Sequence, residues 1–336
     1  MRKRALFLIV ILAVFLGGCA PAQTERTSSF FAMDTAMTLR VFGGDKELLS
    51  RIAADAAELE ARISVTREDS EISQINQNGG GSVSPETKAL LERGLSLCEE
   101  MNGALDLTIY PIVRAWGFTT GEYRHPDDET LRTLLPAVDY RAIRLEGNSV
   151  TLPEGGAIDL GSVAKGWFAD RAAAYLKESG VASAILDLGG NIQTVGAKPD
   201  GSPWRIAVRA PQGSGNLGIL EVMDEAVVTS GGYERYFEDE QGNLWWHIMD
   251  PATGYPARSG VISATVVGTE GVRCDALSTA LFVMGTEQAV SYWKEHMDFE
   301  MLLVTESGEL VITPSLNERF TQDGGAGLRL RVIEDA

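Results

Sequence analysis

The stretch 273–285, RCDALSTALFVMG, has apolar residues at three- and four-residue spacing, which is typical of a buried helix. The pattern predicts a helix that starts near Asp275 and places Asp275 and Thr279 one turn apart on one face. A carboxylate and a hydroxyl in this arrangement can bind a hard cation such as Mg²⁺, and the amides of a first helical turn favour a phosphate beside it. The alternative is structural: Asp275 caps the helix, and the Thr279 hydroxyl bonds back to a carbonyl.

The segments on either side of this helix mix strands and helices without regular alternation. A strand is predicted at 30–42, amphipathic helices at 46–62 and 163–179, and mainly strands after residue 190. This order favours an α+β fold over a doubly wound parallel sheet. A length of 336 residues fits one large globular unit or two closely joined halves.

Charge and cysteine content narrow the class of protein. The chain carries a formal net charge of −18, so its surface repels nucleic acid, and an anionic substrate would need a metal and a few local cations. We therefore expect no nucleic-acid partner. Beyond the amino-terminal leader only Cys98 and Cys274 remain, both in apolar helical contexts, which predicts buried thiols and no disulfide framework.

The amino terminus predicts export and lipid anchoring. Residues 1–19 combine a basic start, an apolar run at 5–16 that is too short to span a bilayer, and the ending LGGC. This pattern is typical of a bacterial lipoprotein signal in which Cys19 is lipidated; an ordinary secretory signal with an incidental cysteine is the alternative. We predict a tether at 20–29, a globular domain at 30–336, and a location on the outer face of the inner membrane.

Other motifs place polar side chains at turns. In AIDLGSVAKG (157–166), Asp159 offers a carboxylate and Lys165 a cation for a phosphate, although a capped helix with a solvated Lys165 is the alternative. His247 ends a strand beside the rigid loop DPATGYP and is the one credible histidine acid or base, unless its role is structural. GSGNLG (213–218) matches a dinucleotide pattern, but strand-like residues follow it, which predicts a hairpin loop.

Eight motifs, in order along the chain, together resemble the ApbE family of FAD:protein FMN transferases. They are AMDT, DSEISQIN, AWGF, DLGSVAKG, LGGN, TSGGY, HIMDPATGYP and DALSTALFVMG. The resemblance runs from about Phe30 to beyond Thr313, and eight collinear matches are more specific than any one of them. It implies an ApbE-like, T-fold-related α+β fold, with mixed sheets and packed helices in a single large unit.

The resemblance also implies a substrate, a cofactor and a reaction. FAD would be the substrate and Mg²⁺ the cofactor, and a threonine or serine of an acceptor protein, expected to be a membrane redox-complex subunit, would attack the FMN phosphorus and release AMP. His247 would accept the proton. The metal would be held by Asp275, which also counts as catalytic, by Thr279 and by the backbone carbonyl around Ser162. The implied FAD contacts are Met33, Trp116, Gly117, Phe118, Asp159, Lys165 and Ile248.

Two departures from the family pattern leave alternatives open. This chain has Met33, Asp34 and Thr35 where the family often has Met-Gly-Thr, and Thr66 where the family often has tyrosine. Loss of that aromatic removes a stacking surface worth about 1 kcal/mol. Looser retention of FAD would favour its hydrolysis to FMN and AMP. A flavin-binding lipoprotein without catalysis is a third hypothesis, which the lipid anchor alone would fit.

Overall fold

The computed structural model describes residues 24–211, 213, 215–324 and 327–334. One large sheet runs through this part of the chain, which contains 17 strands and nine α-helices in all. Its strands are β1 (Glu25–Ala32), β2 (Thr35–Phe42), β3 (Gly80–Ser82), β4 (Arg144–Glu146), β5 (Ser149–Thr151), β6 (Ser183–Asp187), β7 (Ile192–Val195), β8 (Trp204–Arg209), β9 (Asn216–Val222), β10 (Ala226–Gly231), β11 (Tyr236–Glu238), β12 (Leu244–Trp246), β13 (Val261–Gly268), β14 (Glu300–Thr305), β15 (Glu309–Ile312), β16 (Phe320–Gln322) and β17 (Arg329–Val332). Its α-helices are α1 (Lys46–Ile63), α2 (Glu71–Asn78), α3 (Pro85–Glu100), α4 (Tyr110–Ala115), α5 (Asp128–Leu134), α6 (Gly161–Glu178), α7 (Gly271–Met284), α8 (Thr286–His296) and α9 (Pro314–Asn317).

The large sheet has nine strands in the order β1-β2-β6-β7-β10-β13-β14-β15-β17. Neighbours pair antiparallel except β15 and β17, which are parallel. Helices α6 and α7 pack together, and α7 lies on β10 and β13. A three-stranded sheet in the order β16-β9-β8 forms a second apolar core with other strands of the large sheet. The predicted α+β class in one unit is confirmed.

The apolar residues of the central strand β13 form a nearly continuous run instead of alternating with polar ones. Six of its eight residues are buried, because its neighbours contribute to the apolar core on both faces of the sheet. Val266 belongs to the helix-side core and the adjacent Val267 to the core shared with the three-stranded sheet. Successive side chains of a strand point to opposite faces, so such a run is expected where both faces are covered.

The amino-terminal strand differs from its prediction in two ways. The segment 30–42 forms two strands, because Met33 and Asp34 make a two-residue hairpin turn with φ of 51° and 58°. The predicted tether at 20–29 overlaps β1, which starts at Glu25. An ion pair between Glu25 and Arg40 across the hairpin helps to hold these residues in the sheet. Leader residues 1–19, with Cys19, lie outside the described residues.

Two smaller predictions are confirmed. Residues 213 and 215 lie in the loop that joins the antiparallel strands β8 and β9, so GSGNLG belongs to a hairpin. Cys98 and Cys274 are free, buried thiols, and burial raises the pKa of Cys98 to about 12.

Within the described ranges, none of the helices combines the length and the apolar character needed to cross a bilayer.

The start of α7 corrects the prediction made for Asp275. The helix begins at Gly271, and Asp170 of α6 caps it by accepting the amides of Gly271 and Val272 at 2.6 and 2.9 Å. Asp275 therefore lies in the second turn and does not cap the helix. The expectation of a phosphate at the first-turn amides of this helix is also wrong, since the Asp170 carboxylate already binds two of them.

Helices α6 and α7 approach most closely at Gly166. A Cβ atom added there would lie 2.2 Å from the Gly271 carbonyl oxygen and 2.7 Å from the Val272 Cα atom. The Gly166 amide also donates a hydrogen bond of 2.8 Å to the Asp275 carboxylate. Only glycine allows this contact, because both obstructing groups belong to backbone and cannot rotate away.

We predict that Gly166→Ala lowers the free energy of unfolding by about 2 kcal/mol or more, because the two helices must move apart. Gly94→Ala, in α3, is the matched control, because its new Cβ would meet only the flexible Leu107 side chain. Urea denaturation of both variants measures the difference. Equal stability of the two variants would contradict the close contact between the helices.

We also predict a pH-dependent contribution from Asp170. Burial raises its pKa to about 6, against an ordinary 3.8, although the amides of Gly271 and Val272 oppose the rise. The folded state thus binds the proton more tightly, so this stabilisation is complete below pH 3.8 and is lost as the pH rises through 6. Between pH 7.5 and 5, the unfolding free energy of the wild type should rise by about 1 kcal/mol relative to Asp170→Asn. A difference that stays constant with pH in paired urea titrations would refute this assignment.

Candidate active site

A cavity of about 1000 Å³ opens where the start of α6, the end of β10 and the middle of α7 meet. The turn between β1 and β2 and the strand β8 complete its wall. Pockets of this size accommodate ligands as large as a dinucleotide. Its wall includes Met33, Phe118, Asp159, Ser162, Lys165, His247, Ile248, Asp275 and Thr279.

Asp275 is the most deeply buried acid of the cavity wall, with 4% of its surface exposed. One carboxylate oxygen accepts the Gly166 amide at 2.8 Å, and the other accepts the Asn191 side-chain amide at 2.9 Å. Burial raises the pKa of Asp275, and the positive charge of Lys165 and the two hydrogen bonds oppose the rise. No described cation lies within ion-pair distance, so the carboxylate has capacity for a cationic ligand.

A group of hydroxyls lies next to this carboxylate. The Ser230 hydroxyl, at the end of β10, lies 2.8 Å from the Ser278 hydroxyl and 3.4 Å from the Thr279 hydroxyl. Ser278 donates to the Asp275 carbonyl, whereas the Thr279 hydroxyl has no described carbonyl as a partner. Thr279 thus faces the cavity one turn after Asp275, as the helical spacing predicts, and its hydroxyl can serve a ligand.

Cations lie around the cavity without acidic partners. Lys165 on α6 and Arg209 on β8 both line it, and neither forms an ion pair with any described residue. Arg235 also lines the cavity and donates to the Phe118 carbonyl at 2.7 Å. In a chain with a net charge of −18, these side chains supply positive charge to a wall that also carries acids such as Asp159 and Asp275.

Asp159 holds the entry to α6. Its carboxylate accepts the Gly161 amide at 2.8 Å, which satisfies one of the free amides at this helix start. Burial raises the pKa of Asp159, and the Gly161 hydrogen bond with the charges of Arg235 and Lys165 lower it in part. The N-cap residue of α6, Leu160, makes no side-chain cap hydrogen bond. Asp159 and the half-buried Lys165 both line the cavity, so Lys165 does not lie on a solvated face.

His247 directly follows β12 and is held by the backbone of Arg235. Its Nδ1 atom lies 3.2 Å from the Arg235 carbonyl oxygen, and its own amide donates to the same oxygen at 3.1 Å. A ring whose Nδ1–H donates to a carbonyl has Nε2 free to accept a proton. Burial within the cavity, reinforced by the charge of Arg235, lowers the pKa of His247 to about 4, so the ring is neutral at pH 7.

Two of the predicted flavin contacts do not reach the cavity wall. Trp116 is fully buried and donates from Nε1 to the Gly254 carbonyl at 2.9 Å, so it supports the loop that follows His247. Gly117 has φ of 83°, and a Cβ there would lie 2.0 Å from the Glu122 carbonyl oxygen. Both positions are structural in this conformation. Thr66 is exposed and also lies outside the cavity wall, whereas Asp34 lines it.

Three residues that contact the site were not singled out from the sequence. Asn191 orients the Asp275 carboxylate, Arg235 positions His247, and Ser230 lies beside Thr279. Asn191 and Ser230 fall inside the motifs LGGN and TSGGY, which belong to the family resemblance but carry no chemical pattern of their own. Arg235 lies two residues after TSGGY, and no sequence pattern marked it.

The donor set determines which metal could fit. Among the described residues, no three His, Cys, Asp or Glu side chains lie together in a way that could hold a metal ion. The donors present are instead the Asp275 carboxylate, the Thr279 hydroxyl and the Ser162 carbonyl. The Gly166 amide, which in a regular helix points toward that carbonyl, donates to the Asp275 carboxylate. One carboxylate with neutral oxygens suits Mg²⁺, which usually keeps waters and binds substrate phosphates.

Comparisons with known proteins agree with this architecture. The sequence model of the ApbE family matches residues 33–303. A FAD:protein FMN transferase of Vibrio cholerae is 33% identical over 294 residues, covering 83% of this chain and 87% of that protein. A FAD:protein FMN transferase of Treponema pallidum is 34% identical over 263 residues, covering 72% of each chain.

Solved structures show the same fold. An ApbE protein from Thermotoga maritima matches with a TM-score of 0.82 at 30% identity, covering 89% of this chain and 100% of that one. The flavinyl transferase ApbE of Pseudomonas stutzeri, in its apo form, matches with a TM-score of 0.80 at 28% identity, covering 89% and 98%. The expected ApbE-like fold is confirmed. Because the family model and these relatives span most of its length, the chain belongs to the ApbE family.

Proposed function

We propose that this protein transfers FMN from FAD to a threonine or serine side chain of an acceptor protein, through a phosphoester bond, with Mg²⁺ as cofactor and AMP as the second product. The coarser assignment, a flavin transferase, follows from the names of its relatives. The observation that carries the finer one is the buried Asp275 carboxylate. It has no cationic partner within ion-pair distance among the described residues, and it faces a cavity that also holds Lys165 and His247.

The reaction needs a hydroxyl to lose its proton as it attacks phosphorus. The acceptor oxygen forms a bond to the FMN phosphorus, the bond from that phosphorus to the oxygen shared with AMP breaks, and AMP leaves with the electron pair. His247 accepts the hydroxyl proton at Nε2, because its Nδ1 is engaged with the Arg235 carbonyl. A neutral ring is the form that a proton acceptor requires, and the lowered pKa keeps it neutral.

The remaining residues hold the substrate and its charge. Lys165 and Arg235 line the cavity, and neither has an acidic partner within ion-pair distance among the described residues, so both can supply counter-charges to the diphosphate. Asp275, Thr279 and the Ser162 carbonyl would hold Mg²⁺. When bound, the metal would neutralise charge on the diphosphate as it divides. No residue of this set needs to form a covalent bond with the flavin.

Two other functions use the same cavity and are separated by their products. Water in place of the acceptor hydroxyl would make the protein a FAD pyrophosphatase that yields free FMN and AMP. A flavin-binding lipoprotein would leave FAD intact. We retain the transferase because His247, a proton acceptor for a hydroxyl, lines the cavity beside Phe118, and because the relatives carry that name.

We also propose that Cys19 is lipidated and that the protein acts on the outer face of the inner membrane, on a subunit of a membrane redox complex. The support is the leader sequence, with its basic start, apolar run and LGGC ending. Mass spectrometry of the mature amino terminus from membranes tests this directly. Recovery of a protein with an unmodified amino-terminal cysteine, or with the leader retained, would rule out the lipid anchor.

We predict that Asp275→Asn lowers FMN transfer at least 100-fold and abolishes its dependence on Mg²⁺, because a neutral amide is a poor ligand for a hard cation. The test incubates the full-length chain in detergent with FAD, Mg²⁺ and threonine-containing peptides, and follows peptide mass and AMP. Asp170→Asn is the matched control, because it makes the same change against α7 outside the cavity wall. Unchanged transfer by Asp275→Asn would exclude Asp275 as the metal ligand. Equimolar AMP and free FMN from the wild type would identify a hydrolase instead.

We predict that His247→Gln lowers the transfer rate by about 100-fold or more while FAD affinity stays within threefold, because the loss is confined to proton transfer. In the FAD-free wild type, NMR titration of the His247 ring should give a pKa near 4, with the variant identifying its signal. The chain has three histidines, so the spectrum is simple to assign. A His247 midpoint near 6.5, or full activity in the variant, would remove this residue from its role.

A further inference from the structure

Strand β8 is one of the two edge strands of the three-stranded sheet, and the side of β8 that faces away from β9 borders the cavity. Its only described strand partner is β9. Five consecutive residues, from Arg205 to Arg209, line the cavity. Successive side chains of a strand point to opposite faces, so a consecutive run can line one cavity only along the strand edge. The cavity therefore extends from the Asp275 region along the backbone of β8.

The pairing register identifies the groups at this edge. Glu221 of β9 donates its amide to Arg319, on the side of β9 away from β8. Arg205 stands opposite Glu221, and Ala207 stands opposite Ile219 two residues along. In an antiparallel pair, two residues opposite each other direct their backbone N–H and C=O groups either both toward the partner strand or both away from it. Arg205 and Ala207 therefore direct their N–H and C=O groups away from β9. We call these four backbone groups the β8 edge.

The β8 edge has no backbone hydrogen-bond partner within the described structure, and two side chains of strand β8 beside it carry positive charge. No described backbone group outside β9 pairs with this strand. The side chains of Arg205, Ala207 and Arg209 alternate with the buried Ile206 and Val208, so they share the exposed face. Neither arginine forms an ion pair with a described residue. The Arg209 guanidinium lies over the Tyr233 ring at 5.7 Å. Two guanidinium groups four residues apart match an extended segment with acidic side chains at the same spacing.

We propose that the β8 edge binds the acceptor protein as an added antiparallel strand: an extended segment with acidic side chains facing Arg205 and Arg209, whose threonine or serine reaches the Asp275 end of the cavity. This inference rests on the proposed FMN transfer and specifies how the second substrate is held. Backbone hydrogen bonds to the edge supply affinity for any extended segment, and the two arginines select acidic ones. Such a mode recognises one stretch of chain and needs no folded interface.

The test measures peptide binding separately from chemistry. The probes are fluorescein-labelled dodecapeptides of alternating valine and threonine, with aspartate or lysine at two positions four residues apart. Their binding to the full-length chain in detergent is followed by fluorescence anisotropy without FAD. We expect the aspartate peptide to bind at least tenfold more tightly than the lysine peptide, and Arg205→Glu with Arg209→Glu to reverse this preference. Equal binding of both peptides, or none, overturns the proposal.

Ala207→Pro and Ala207→Val form the decisive pair. Proline removes the outward N–H at a position where an edge strand tolerates it, whereas valine keeps the N–H. We expect proline to weaken binding of the aspartate peptide at least tenfold and valine to leave it within threefold, with FAD affinity the same in both. Equal peptide affinity in the two variants contradicts the strand addition. A dimer of the wild type that Ala207→Pro dissolves would assign the edge to a second copy of this chain and also overturn the proposal.

Peptide mass after addition of FAD and Mg²⁺ separates this inference from the function on which it rests. Edge-dependent binding of the aspartate peptide without any gain of FMN mass supports the docking mode and refutes the transferase. Equal FMN transfer by the wild type and by Ala207→Pro supports the transferase and refutes the docking mode. Transfer that falls at least tenfold in the proline variant, with FAD binding intact, supports both.

Discussion

The hydrogen bond from the Gly166 amide to the buried Asp275 carboxylate is the contact on which both the fold and the site depend. It exists because α6 and α7 cross with no side chain between them, which only glycine permits. The same closeness lets Asp170 reach across and cap α7, so the helix pair is held at two points by backbone amides and carboxylates. Asn191 then fixes the second oxygen of Asp275 from the sheet. The contact between α6 and α7 therefore determines both the packing of these helices and the orientation of the Asp275 carboxylate.

Much of the fold follows from the sequence because its signals are local. Periodic apolar residues marked main helices such as α1 and α6. Predictions failed where a distant partner decides the outcome. The start of α7 is set by Asp170, about a hundred residues earlier in the chain, and no local pattern can reveal that cap. The turn at Met33 and Asp34 was missed because non-glycine residues with positive φ are uncommon, so the hairpin looked like one long strand.

The candidate site was predictable in its chemistry more than in its geometry. Helical spacing put Asp275 and Thr279 on one face, and the structure places both in the cavity wall. Trp116, in contrast, belongs to a motif for which the resemblance implies a flavin contact. Its Nε1–H donates to the Gly254 carbonyl instead, so the ring supports that loop. Arg235 escaped notice because a lone arginine in a turn carries no sequence signature. Its role depends on a backbone carbonyl, which every residue has.

The two buried thiols have a consequence for how this protein is made. Cys98 and Cys274 both lie in the main apolar core as free thiols, so the described fold contains no disulfide whose formation must precede or follow packing. Burial also raises the pKa of both thiols, which suppresses the reactive thiolate. The core of the described residues therefore packs around two reduced cysteines and requires no oxidation step at either of them.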